Sequence, residues 1–62
     1  LGLEYLIRLT EDKNILKVKS AITAIGEINH PDAKSCLRGI VADESRDKLI
    51  NQSAEFSLQS KL

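Results

Sequence analysis

Apolar side chains recur three and four residues apart from residue 18 to residue 43, VKSAITAIGEINHPDAKSCLRGIVAD, with one change of phase at Asn29-His30-Pro31. Spacing of that kind places an apolar stripe on each of two helices. The first of the pair is predicted over residues 15–28, with Val18, Ala21, Ile22, Ile25 and Ile28 as its stripe and Leu16 and Ala24 broadening it. Asn14 is placed to cap it, because its side-chain oxygen accepts from a free amide of the first turn. Lys13, Lys17, Lys19 and Ser20 fall off the stripe and face water. Gly26 in the last turn costs roughly 1 kcal/mol relative to Ala, which makes sense where another segment comes close. Asn29 follows as a candidate left-handed terminator.

The next helix is predicted over residues 31–42. Pro31 at its first position loses no hydrogen bond and presets φ, Asp32 suits the helix dipole, and His30 takes the N-cap. Ala33, Cys36, Leu37, Ile40 and Val41 form its stripe, Lys34, Ser35 and Arg38 lie opposite, and Gly39 reads as a second close-approach position. A two-residue link between helices lays them side by side and nearly antiparallel. Upstream, Leu3, Leu6, Ile7 and Leu9, widened by Tyr5, predict a helix over residues 2–12, with Glu4 and Arg8 one turn apart as an exposed ion pair. Glu11-Asp12-Lys13-Asn14 breaks that pattern. Downstream, Ser45 is the expected N-cap of a helix over residues 46–60. Ile50, Ala54 and Leu58 lie on one line of it, and Leu49, Ser53 and Phe56 on the next. Ser53, Ser57 and Ser60 dilute its apolar face, as at the end of a stack.

Shifting the chain by 31 residues sets Leu6 on Leu37, Leu9 on Ile40 and Asp12 on Asp43; shifting it by 33 sets Leu16 on Leu49, Ala21 on Ala54 and Ile25 on Leu58. A period in the low thirties made of two helices is the signature of an α-solenoid. The expected fold is therefore all-α: antiparallel helical hairpins stacked as a short α-α superhelix of about two repeats and four helices. Residues 1–62 form a single fragment of that array. Composition adds restraints. Tyr5 and Phe56 are the only aromatic residues, so the core must be aliphatic. One cysteine and one histidine leave no intrachain disulfide and no His/Cys metal cage, and no cofactor or metal is expected. A folded chain of this length buries only about 60% of the surface it exposes unfolded. The isolated fragment is accordingly expected to be marginal, or to self-associate through exposed stack ends.

Nine Lys and Arg balance nine Asp and Glu, and the lack of a basic excess argues against nucleic acid as partner. The chain opens without Met inside an apolar pattern, as expected of a piece of a longer protein. LGLEYLIRL is too short and too charged to cross a membrane or to act as a signal peptide. With one unpaired cysteine, a cytoplasmic location is expected.

The 18–43 stretch resembles a HEAT repeat, most nearly the short variety of the phycobilisome-lyase-type HEAT-like proteins. The resemblance rests on Ala21, Ala24, Ile25-Gly26, Ile28 and His30-Pro31, with Asn29 for the usual Gly, His30 for the usual Asp, and Cys36 among the small apolar positions. It covers one full repeat, half a repeat before it (residues 2–12) and half after it (residues 46–62), where the Leu-Gly element is missing. It implies a non-catalytic helical-repeat scaffold mediating protein–protein interaction. The second helix of each repeat lines the concave surface of such arrays, so Lys34 and Arg38, with Arg8 on the corresponding earlier helix, become the candidate partner-facing residues. The alternative it carries is part of a HEAT-like enzyme such as a bilin lyase or a hydroxylase; no recognisable set of acidic, His or reactive Cys residues stands ready for that chemistry. Cys36, between Ala33 and Leu37, reads as a small buried hydrophobe. His30 reads as a turn residue, and Asp43-Glu44 with Asp47 lacks the glycine and distal Glu of a calcium loop.

Overall fold

Two short polar side chains start the second helix of the protein. In a computed structural model describing residues 2–59, Asp12 Oδ1 accepts from Asn14 N at 2.7 Å, and Asn14 Oδ1 accepts from Leu16 N at 2.9 Å. The second bond caps helix α2 (Ile15–Gly26) as its sequence predicts. Helices α1 (Leu3–Leu9), α3 (Pro31–Ala42) and α4 (Lys48–Gln59) complete the described chain, in which no strand occurs. The protein is all-α.

Three boundaries differ from expectation. Helix α1 has seven residues. Its exit tightens into three-residue spacing, with Glu11 N bonding Arg8 O and Asp12 N bonding Leu9 O, both at 3.0 Å. Thr10 Oγ1 donates to Ile7 O at 2.6 Å, a second bond to a terminal carbonyl that also accepts from Thr10 N at 3.1 Å. Helix α2 stops at Gly26 because Glu27 N and Ile28 N close onto Ala24 O and Ile25 O in the same tight spacing. The α2–α3 link is thus residues 27–30 rather than two residues. Asn29 is not a left-handed terminator, since no described residue has positive φ; the proline ring of Pro31 instead holds His30 in extended backbone. The expected Ser45 cap is also corrected. Ser45 N and Oγ both donate to Asp43 Oδ1, at 3.0 and 2.6 Å, so its hydroxyl is spent in the turn. Asp47, a stronger cap for its charge, accepts from Leu49 N at 2.8 Å and starts α4 at Lys48. The expected helix end at Ser60 lies outside the described residues.

His30 does cap α3, its Nδ1 accepting from Asp32 N at 3.0 Å. Among the described residues Glu4 and Arg8 make no ion pair.

Helix α2 packs against α1, α3 and α4, and α3 packs against α4. Val18, Ile22 and Ile25 of α2 meet Ala33, Leu37 and Ile40 of α3 and Ile50 and Ala54 of α4 in one aliphatic core. Fully burying side chains such as Ile22, Ile25 and Leu37 contributes about 1.5–3 kcal/mol each. Leu3, Leu6 and Ile7 pack on its edge, as do Cys36 and Val41, while no residue of α1 is fully buried. Gly26 is a close-approach position: a Cβ there would stand 2.8 Å from Ser57 Cβ across the α2–α4 contact. Gly39 is not. It is exposed and has nothing within 4 Å of where its Cβ would lie. Leu16, expected to broaden the stripe of α2, is 71% exposed instead.

Candidate functional site

Lys34 and Arg38 are one turn apart on α3, and four-residue spacing keeps them on one face. The structure brings them together in a shallow depression of about 260 Å³ shared with Asn29, His30, Pro31 and Ser35. Arg38 is exposed and Lys34 is half-buried, its side chain also lying near Ile28, Leu37 and Leu58. Arg8 is exposed but belongs elsewhere: with Gly2, Glu4 and Tyr5 it lines a separate depression on α1. The three candidate residues therefore do not form one cationic patch. Lys34 and Arg38 offer two positive charges and a serine hydroxyl to an acidic surface; Arg8 has Glu4 beside it.

A second surface was not expected. Tyr5 stands as a ridge between two apolar grooves. One, about 340 Å³, is lined by Tyr5 and Leu9 of α1 and by Leu16, Lys17 and Ser20 of α2. The other, about 330 Å³, is lined by Gly2, Tyr5, Leu6 and Ile28. Periodicity assigned these apolar side chains to the interior, and it carries no information on which edge of a stripe a neighbouring helix reaches.

Arg46 makes polar contacts with three other residues. Its guanidinium donates to Thr10 O at 2.8 Å and to Glu11 Oε2 at 2.9 Å, and its Nε lies 3.5 Å from Asp43 Oδ2, in electrostatic contact without hydrogen-bond alignment. It joins the exit of α1 to the α3–α4 turn. Asn51 Nδ2 donates to Ile40 O at 2.7 Å and to Asp43 O at 3.0 Å, closing the C-terminus of α3 from α4. Neither set of hydrogen bonds leaves a local sequence signal, since the acceptors for Arg46 are 35 and 36 residues away and those for Asn51 eight and eleven.

The remaining titratable candidates are structural. Cys36 is half-buried against the core, and burial pushes its thiol above the ordinary range; Arg46 pulls it down and Glu11 pushes it up, both by less. That is the reverse of an activated thiolate. The hydroxyl and then the amide of Ser45, bonded to the Asp43 carboxylate, hold it below the usual carboxylate range, aided by Arg46. Among the described residues no three His, Cys, Asp or Glu side chains are gathered to hold a metal ion, and no helix is long and apolar enough to cross a membrane. No family model, curated protein or solved structure matches this chain.

Proposed function

We propose that this chain is a HEAT-like helical-repeat module, a non-catalytic cytoplasmic scaffold segment that holds a protein partner. The observation that supports it most is the exposure of Tyr5, Ile15, Leu16, Leu49 and Phe56, between 43% and 73%, around an otherwise closed aliphatic core. Monomeric surfaces carry single apolar side chains routinely, but grooves built from several mark interaction sites. The Lys34–Arg38 depression adds a cationic surface suited to an acidic partner segment, where rim charges govern encounter and specificity. Tagged protein and its K34E/R38E variant, matched for helical content, test the reading by affinity capture from the source cells and titration of the purified partner. The expected result is a partner bound at least about tenfold more weakly by the variant, one decade corresponding to about 1.4 kcal/mol, with R8E unaffected. No specific partner, or one bound equally by both forms, overturns it.

A further inference from the structure

We propose that protonation of His30 tightens the hold of the Lys34–Arg38 depression on an acidic segment, so that partner capture strengthens in mild acid. The inference rests on the module reading and adds the regulation of its cationic surface.

His30, Lys34 and Arg38 are four residues apart. That spacing sets them in one row along the start of α3, with neighbouring Cβ atoms about 5–6 Å apart. All three line the same depression, together with Asn29, Pro31 and Ser35. Lysine and arginine stay cationic at neutral and mildly acidic pH, whereas histidine is the side-chain type whose charge changes between pH 5 and 8.

The ring of His30 is engaged as a neutral imidazole. Its Nδ1 accepts from Asp32 N at 3.0 Å, which requires a bare Nδ1 and puts the ring proton on Nε2. That bond completes the cap of α3. Pro31 has no N–H to satisfy, and Ala33 N and Lys34 N both bond His30 O, at 3.0 and 3.2 Å. A protonated ring is a donor at both nitrogens and cannot hold the Asp32 amide. A replacement acceptor is at hand, because Asp32 Oδ2 lies 3.9 Å from Nδ1. The His30 side chain is 55% exposed, so the ring is free to turn without repacking the core. Protonation thus exchanges a neutral cap for an ion pair and adds a third cation to the row.

Among the described residues, Asp32 is the one charged side chain paired with His30, and no charged residue of α1, α2 or α4 lines the depression. With Asp32 counted, the surface carries one net positive charge while His30 is neutral and two once it is protonated. An anionic side chain seated about 6 Å from the new charge gains at least about threefold in affinity even at the dielectric of water. Proton and acidic segment therefore reinforce each other's binding.

NMR titration of the 15N-labelled 62-residue chain with hexa-aspartate, at pH 7.5 and 5.5 and low ionic strength, tests this. Aspartate, with an ordinary pKa of about 3.9, stays ionised over that range. The expected result is amide shifts around residues 30–38 and an affinity at least about threefold higher at pH 5.5. His30→Asn keeps a side chain able to cap but unable to titrate, and should bind equally at both pH values; K34E/R38E should lose binding at both. Ring 15N spectra supply a readout independent of the peptide, in which Nδ1 carries no proton at pH 7.5. A protonated Nδ1 at pH 7.5, equal wild-type affinities at the two pH values, a His30→Asn variant that retains the full response, or no shifts around residues 30–38 would overturn the proposal. Partner capture that remains sensitive to K34E/R38E in that event leaves the module reading standing, so the two failures are distinguishable.

Discussion

Replacing Gly26 by alanine probes the tightest helix–helix contact in the fold. The added Cβ would meet Ser57 Cβ at 2.8 Å, Oγ at 3.1 Å and Cα at 3.5 Å. The first distance is well inside van der Waals contact, and Ser57 Cβ is anchored to its backbone, so α2 and α4 must separate. Overpacking of this kind costs about 1–3 kcal/mol. Against it stands a helix-propensity gain of at most about 1 kcal/mol, reduced here because Gly26 is the last helical residue. The expected net loss is about 1–2 kcal/mol, or roughly 5–15 °C in Tm for a domain of this size. Ser57→Gly removes both near atoms and leaves the Cα at ordinary contact distance. In that background Gly26→Ala should be neutral or stabilising, giving a coupling of about 1–3 kcal/mol in the double-mutant cycle. The cycle cancels whatever Ser57→Gly costs by itself. Urea unfolding followed by circular dichroism gives all four stabilities. An additive cycle, or a Gly26→Ala variant more stable than wild type, would refute the close-packing explanation of this glycine.

Arg46→Ala should lose about 2 kcal/mol in urea unfolding, since it removes charge-assisted bonds to Thr10 O and Glu11 that join two loops; Arg46→Lys should recover only part of it, because a single ammonium cannot reproduce the fork. Asn51→Ala should cost about 1 kcal/mol by freeing the carbonyls of Ile40 and Asp43, and Asn51→Asp more, because a carboxylate there faces the negative end of α3. Asp43 has a depressed folded pKa, so its contribution is complete above the unfolded carboxylate value of about 3.9. It is lost as pH falls through the lower folded value; Asp43→Asn should flatten the acid limb of a stability–pH profile, and an unchanged limb would contradict the assignment. Cys36, with its thiol raised by burial, should alkylate more slowly at neutral pH than the same cysteine in urea; equal rates in native and unfolded protein would place it in solvent.

The sequence by itself determined the helical class, the number of helices and most of the core. Those follow from period and capping, which are local properties: Asn14 and His30 cap where they stand because their partners are two residues away. The helix over Pro31–Ala42 was legible to the residue, with a proline at one end and a continuous stripe behind it. Local reasoning failed where two local options competed. Ser45 and Asp47 were both able to cap α4, and the turn around Asp43 claimed the serine. It also failed to separate Gly26 from Gly39, because a glycine in a helix has the same sequence signature whether or not a neighbour approaches.

The site was less legible than the fold. Lys34 and Arg38 are adjacent on one helix and were expected to act together; Arg8 is not near them, since its register parallels theirs but α1 is a different face of the molecule. The Tyr5–Leu9–Leu16 groove, the Arg46 clamp and the Asn51 cap were decided only by tertiary structure. Each depends on which helices become neighbours. That choice is set by the summed burial of several stripes at once, a property no single window of the chain contains.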